Sequence, residues 1–190
     1  MPNWTTTPPT TDEHHAFRIL RTPTDQSFEA IVTAVEIAGT YTHYVSNRTI
    51  PCEGPPDCEH CQEGHSFRWH GYLSCIVPKT YEHCIFEFTK IPGKTFANYR
   101  QIHQEMRGCH FRSSRPSKRI NGRVIISCKQ YDANRYSLPK PPNIRQILCH
   151  IWNVQYKNTI QQYDPEHLAQ QVIAAPNKRD GRYRSGSRAK

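Results

Sequence analysis

Four residues between positions 43 and 61 have the types and spacing of a metal site: His43, Cys52, Cys58 and Cys61, within nineteen positions. Thiolate and imidazole are soft to borderline donors, and four of them in a tetrahedron close a zinc site. The Cys58-x2-Cys61 step brings two thiolates to one ion from a tight turn. Pro51, Gly54, Pro55, Pro56 and Gly64 supply the bends that such a knuckle needs. Four protein ligands leave no position for water, so the chemistry expected of bound Zn2+ is structural rather than catalytic. His43 is the expected fourth ligand, with His65, Cys75 and His70 as alternatives. His60 lies inside the Cys58–Cys61 turn and reads as a solvated loop residue.

The other cysteines, Cys75, Cys84, Cys109, Cys128 and Cys149, stand singly, mostly in apolar runs where a thiol behaves as a small hydrophobe. Disulfides would need an oxidising compartment. The start, MPNWTTTPPTTDEHH, has neither a basic n-region nor an apolar h-region. The expectation is an intracellular protein, cytoplasmic or nucleoid-associated, neither secreted nor membrane-spanning.

Catalytic signatures are missing. There is no Gly-x-Gly-x-x-Gly, P-loop or His-Glu-x-x-His. The deaminase pattern needs His-x-Glu ahead of Pro-Cys-x2-Cys, and Cys58 follows Asp57. Nothing beside Cys84 or Cys149 argues for an activated thiolate. The expectation is a non-enzyme, with a metal-dependent nuclease as the least favoured alternative. The charge points to a polyanionic partner: 25 Lys and Arg against 16 Asp and Glu give a formal +9. Arg112, Arg115, Lys118, Arg119 and Arg123 stand together with no acidic residue among them, a set suited to phosphates.

These residues need elements to position them. Residues 1–15 are Thr/Pro-rich and read as a flexible arm. Residues 27–38, SFEAIVTAVEIA, predict a long first strand, extended beyond Gly39 by 40–45. In residues 69–77, WHGYLSCIV, alternation turns Trp69, Leu73, Cys75 and Val77 inward and leaves His70 and Tyr72 outward. Residues 84–89 predict another strand, 96–106 a helix ended by Gly108, and 108–112 and 123–128 two more strands. Asn121-Gly122 supplies a tight turn before the last of these. Asn143 caps a helix carrying Ile144, Ile147, Leu148, Ile151 and Trp152. Asp164-Pro165 opens a short helix to 174. The organisation expected is an arm over 1–15, a metal-stapled domain over 16–136, a helical extension over 137–175 and a disordered basic tail over 176–190.

Strand, strand, strand, helix, strand, strand is the order of the five-stranded OB barrel. The fold class expected is therefore mainly β (α+β), with the zinc knuckle inserted between strands one and two and helices at the C-terminus. Over roughly residues 27–128, with the motif His43…Cys52…Cys58-x2-Cys61, the chain resembles the zinc-containing OB-fold single-strand-binding proteins of large tailed phages. Its basic C-terminus departs from the acidic tail of that family. The resemblance implies single-stranded nucleic acid as partner, DNA ahead of RNA, together with proteins of replication, recombination or another nucleoprotein complex. Arg112, Arg115, Lys118, Arg119 and Arg123 would meet phosphates. Tyr41, Tyr44 and Tyr72, with His70 beside Tyr72, would meet bases, which stack on aromatic rings. The alternative is an adaptor in a nucleoprotein assembly, docking protein through the zinc loop and the Trp152 helix.

Overall fold

The structure, a computed structural model, describes residues 17–54, 57–131 and 137–155. Along the chain come β1 (Arg18–Leu20), β2 (Phe28–Val32), β3 (Ala38–Val45), β4 (Arg48–Pro51), α1 (Glu59–Gln62), β5 (Phe67–Ile76), β6 (His83–Thr89), α2 (Lys90–His103), β7 (Cys109–Ser114), β8 (Ile125–Gln130) and α3 (Ile144–Trp152). The expected arm, the helix near 164–174 and the basic tail lie outside the described residues.

β5 organises the sheet. One of its edges pairs with β6. The other is shared by two strands, β3 against its first part and β2 against its end. The predicted long first strand is thus one extended run broken at Thr33–Ile37. The break is a bulge: Thr33 and Ala34 both donate their backbone N–H to Ser74 O, at 2.8 and 3.3 Å. Two residues opposing one bend the strand and sharpen its twist.

The eight strands form one sheet in the order β1-β6-β5-β2-β7-β8, with the β3–β4 hairpin attached to β5. It curls strongly. Phe86 on β6 meets Phe111 on β7 at 4.7 Å, although β5 and β2 lie between those strands in the sheet. Phe96 of α2 fills the hollow, 4.8 Å from Phe88 and 5.2 Å from Phe111. Leu73, Cys75, Phe86, Phe96, Met106 and Phe111 are fully buried in this core.

The curl does not close into the five-stranded barrel expected from the element order. Closure would pair β6 with β8. Instead β6 carries β1 in parallel on its outer edge, with Arg18 opposite Cys84 and Leu20 opposite Phe86. A strand edge whose N–H and C=O groups are already paired cannot accept a second neighbour.

Three local expectations are corrected. First, alternation along β5 does not separate a core face from a solvent face, because Gly71–Ile76 is buried on both sides. Leu73 and Cys75 enter the curled core, while Tyr72 packs edge-on against Trp152 of α3 at 5.8 Å. Second, α2 begins at Lys90 and ends on Gln104 in the left-handed region, earlier at both ends than predicted. Pro92 sits in the first helical turn, where its missing N–H has no partner to lose. Ile102 is exposed rather than in the core stripe. Third, Asn121-Gly122 makes no left-handed turn pair. That geometry occurs at Ser46 and Asn47, φ 48° and 63°, which join β3 to β4.

α3 follows the sequence except at Ile151, which is exposed rather than on the buried stripe. Asn143 accepts a cap bond from the Gln146 N–H at 3.1 Å, and Ile144 and Leu148 are buried in the core. Arg107 fastens the segment before it, donating to Thr33 O, Leu138 O and Pro139 O at 2.7, 2.7 and 3.0 Å.

Candidate metal centre

Three local structures bring the four predicted ligands together. His43 lies on β3, opposite Ile50 of β4 and Phe67 of β5, and is buried between them. Cys52 follows β4, held by its N–H to Tyr41 O at 2.8 Å. Cys58 and Cys61 span the start of α1, where the Cys61 N–H reaches Cys58 O at 3.0 Å. Gly54, at φ 89°, turns the chain between Cys52 and Cys58, and the Cys58 N–H bonds its carbonyl at 2.9 Å. Left-handed backbone of this kind is where a side chain costs most.

The donor atoms of His43, Cys52, Cys58 and Cys61 all lie within 4.8 Å of one another. His43 Nε2 is 3.4 Å from both Cys58 Sγ and Cys61 Sγ, and Cys52 Sγ is 3.5 Å from Cys61 Sγ. Metal–sulfur bonds of about 2.3 Å and metal–nitrogen bonds of about 2.0 Å in a tetrahedron give ligand–ligand edges of about 3.5 to 3.8 Å. The four atoms therefore outline a site of metal-binding size. His43 Nδ1, 3.2 Å from Ser66 O, donates to that carbonyl, which leaves Nε2 as the lone-pair nitrogen facing the sulfurs. A backbone carbonyl on the far nitrogen is the usual way a ligating imidazole is oriented.

The electrostatics suit a cation. Burial lowers the pKa of His43, keeping its ring neutral and able to ligate. Burial and then the neighbouring thiols push Cys61 well above the ordinary thiol value. Burial also raises Cys52. For Cys58 burial acts upward but is outweighed by hydrogen bonds from the backbone of Cys61 and Glu53 and from the Cys61 and Cys52 thiols, so its pKa falls. Three thiols this close cannot all ionise unless positive charge lies among them. Among the described residues, which include all eight cysteines, no disulfide forms.

The alternatives for the fourth ligand have other surroundings. Cys75 is in the core, 3.6 Å from Cys84 Sγ across the β5–β6 pair. His70 Nδ1 lies 2.9 Å from Thr42 Oγ1 and 3.6 Å from Glu87. His65 lies beside Glu63 at 3.3 Å.

The residues expected to meet nucleic acid divide into two groups. Tyr44 is 68% exposed at the hairpin tip, its hydroxyl donating to Asn47 Oδ1 at 3.0 Å. Lys118, Arg119 and Arg123 are exposed in the β7–β8 loop. Arg112 is exposed but sits 3.5 Å from Glu29 on the neighbouring strand. Tyr72, by contrast, is 1% exposed, so it cannot stack on a base without moving α3. His70 is mostly buried and occupied by Thr42 and Glu87. Tyr41 is half-buried edge-on against Phe67 at 5.4 Å. Arg115 turns inward and donates to Thr22 O and Gly122 O at 3.0 and 2.6 Å, which makes it a brace for its own loop. Trp152, expected to dock a partner protein, is spent on Tyr72.

Sequence reasoning missed a buried polar network beside β5. Glu87, 7% exposed, has its two carboxylate oxygens 2.9 and 3.0 Å from Arg21 Nη2. A lone Glu in the apolar run 84–89 is the signal that predicts it, since a buried carboxylate requires a paired cation.

Comparison with family models, curated proteins and solved structures finds no match for this chain. Among the described residues no helix is long and apolar enough to cross a membrane.

Proposed function

We propose that the protein is a non-enzymatic single-strand nucleic-acid-binding protein, DNA ahead of RNA, built on an OB-like sheet whose first loop is locked by a structural zinc ion. The observation that carries this reading is the position of the Cys3His cluster within the strand connectivity. With β2 and β3 taken as one bent first strand, β5, β6, β7 and β8 follow as strands two to five, and α2 falls between the third and fourth. The antiparallel pairs β2/β3–β5, β5–β6, β2–β7 and β7–β8 support this reading, because an OB barrel without its closing pair would have the same neighbours. The cluster occupies the loop between strands one and two, one of the two loops through which OB folds hold oligonucleotides. Three thiolates and an imidazole in a tetrahedral outline suit Zn2+ over hard cations.

The second such loop is the β7–β8 connection with Lys118, Arg119 and Arg123. Because α3 covers Tyr72, binding is assigned to the two loops and to Tyr44 rather than to the middle of β5. The formal charge of +9 favours the same class of partner.

The test is a fluorescence titration with single-stranded and duplex DNA and RNA, comparing wild type with a Lys118→Ala, Arg119→Ala, Arg123→Ala variant across salt. Removing one cation that neutralises a phosphate should flatten the log–log salt slope by about 0.7 on a single strand. The triple variant should bind all sequences more weakly by a similar factor, since phosphate contacts read no bases. Equal affinity and slope in the two proteins would overturn the assignment of this loop. No preference for single strands over duplex would overturn the substrate class.

A further inference from the structure

A second set of metal-binding side chains stands beside the first: His60, Glu63 and His65. The local fold assembles them from six consecutive residues. His60 and Glu63 are three apart across the end of α1, so they share a face. Gly64, at φ 79°, then reverses the chain, and the His65 N–H returns to His60 O at 2.9 Å. Glu63 Oε2 ends 3.5 Å from His60 Nδ1 and 3.3 Å from His65 Nε2, and the three donor atoms lie within 4.8 Å of one another. Around a tetrahedral ion with bonds of about 2.0 to 2.1 Å, such edges measure about 3.4 Å.

A second, independent observation concerns His60. Its Nδ1 is buried, and its neighbour Glu63 Oε2, at 3.5 Å, forms no hydrogen bond with it. A buried polar atom left unpaired destabilises the fold, and burial without a partner is unusual in native proteins. The same carboxylate oxygen that lies beside this atom also lies beside His65, and a cation among the three would satisfy it.

The geometry points to a second, exchangeable divalent metal site made by His60, Glu63 and His65, with one coordination position open. This goes beyond the structural site, which has four protein donors. Two imidazoles and a carboxylate select borderline ions such as Zn2+, Co2+ or Ni2+ rather than Mg2+ or Ca2+. Glu63 and His65 are about half exposed, so solvent reaches the ion. A three-ligand site keeps its fourth position for water or for an anionic oxygen. The two sites share α1 yet differ in donors, because no thiolate belongs to the second.

The experiment is a Co2+ titration of the full-length protein, first freed of metal under reducing conditions, followed by absorption and by metal analysis after dialysis. Wild type should take up two saturable equivalents. One carries thiolate-to-cobalt charge-transfer bands. The other does not, and a weak chelator strips it first. A Glu63→Gln, His65→Ala variant should keep the charge-transfer equivalent in full and lose the other. Saturation of wild type at a single equivalent would overturn the proposal. So would a second equivalent that persists in the variant, since the ion would then lie elsewhere on the chain. The charge-transfer bands report the cysteine cluster alone, so failure of that site is read separately.

Discussion

The two halves of β5 are held by different means. From Gly71 to Ile76 the strand is buried on both faces, between the phenylalanines of the curled sheet on one side and α3 with the Thr33–Ile37 bulge on the other. From Phe67 to His70 it is half-buried and faces the β3–β4 hairpin, whose tip is in water. β3 pairs with that end of β5, and Trp69 there packs edge-on against Phe88 at 6.0 Å. The four residues of the Cys/His cluster sit at this half-buried end. His43 ties the centre to β3, Cys52 to the end of β4, and Cys58 and Cys61 to the loop that leads back into β5.

The contrast can be broken first in the core. Phe86→Ala removes the ring that touches Phe28, Phe88, Phe96 and Phe111. Truncating a buried phenylalanine should cost about 3 to 5 kcal/mol in urea unfolding. Metal content per folded molecule should stay at the wild-type value, and a fall in parallel with stability would show that the two ends are not separable.

Cys58→Ser attacks the other end. Bound metal should be released. Hydrogen exchange should accelerate through β3, β4 and the Phe67–His70 part of β5, while amides of Leu73–Ile76 keep most of their protection. Structural metal contributes folding free energy, so unfolding midpoints should fall as well, by less than in Phe86→Ala. Uniform loss of protection along β5 would sink the division.

The smallest effect sharpens the boundary itself. Burial, ahead of the opposing pull of Glu87, lowers the pKa of His70, with Arg21 and Arg68 adding to the fall. The folded protein therefore binds fewer protons here than the unfolded chain. The contribution of His70 is fully present above the unfolded value of about 6.5 and is lost as pH falls from there through the folded value. Urea midpoints of wild type should thus decline more steeply than those of His70→Gln between pH 7.5 and 5.5. Parallel lines would show that His70 titrates as it does when unfolded.

The metal cluster was legible because its chemistry is local. Cys58-x2-Cys61 and the nearby bends suggest a knuckle whatever surrounds it, and His43 was preferred as fourth ligand with His65, Cys75 and His70 left as alternatives. The strands over 84–89, 108–112 and 123–128 and the helix between them were legible from β-branched runs and helical spacing, whereas β4 and α1 fall in the stretch read as a loop. Tyr72 was misplaced because alternation reports orientation only for a strand with one wet face, and β5 gains its second cover from α3, more than seventy residues downstream. β1 escaped because three residues, Arg18–Leu20, carry no period, and a parallel partner far along the chain leaves no turn signal between them. Arg115 looked like its neighbours in sequence. Its role depends on Thr22 O, a backbone atom that no charge count can reveal.

β1 also bears on solubility. Its three residues cover the edge of β6 with main-chain bonds, and the side chain of the first, Arg18, pairs with Glu82 at 3.4 Å. An uncovered strand edge offers a row of free N–H and C=O groups to any extended segment that meets it. Those at Cys84–Phe86 would lie next to some of the most apolar residues of the molecule. β1 therefore leaves this stretch of β6 no free edge to offer. A chain shortened to begin at Asp25 would lose this cover together with Arg21, the cation paired with buried Glu87, and β6 would present an open edge to the next molecule.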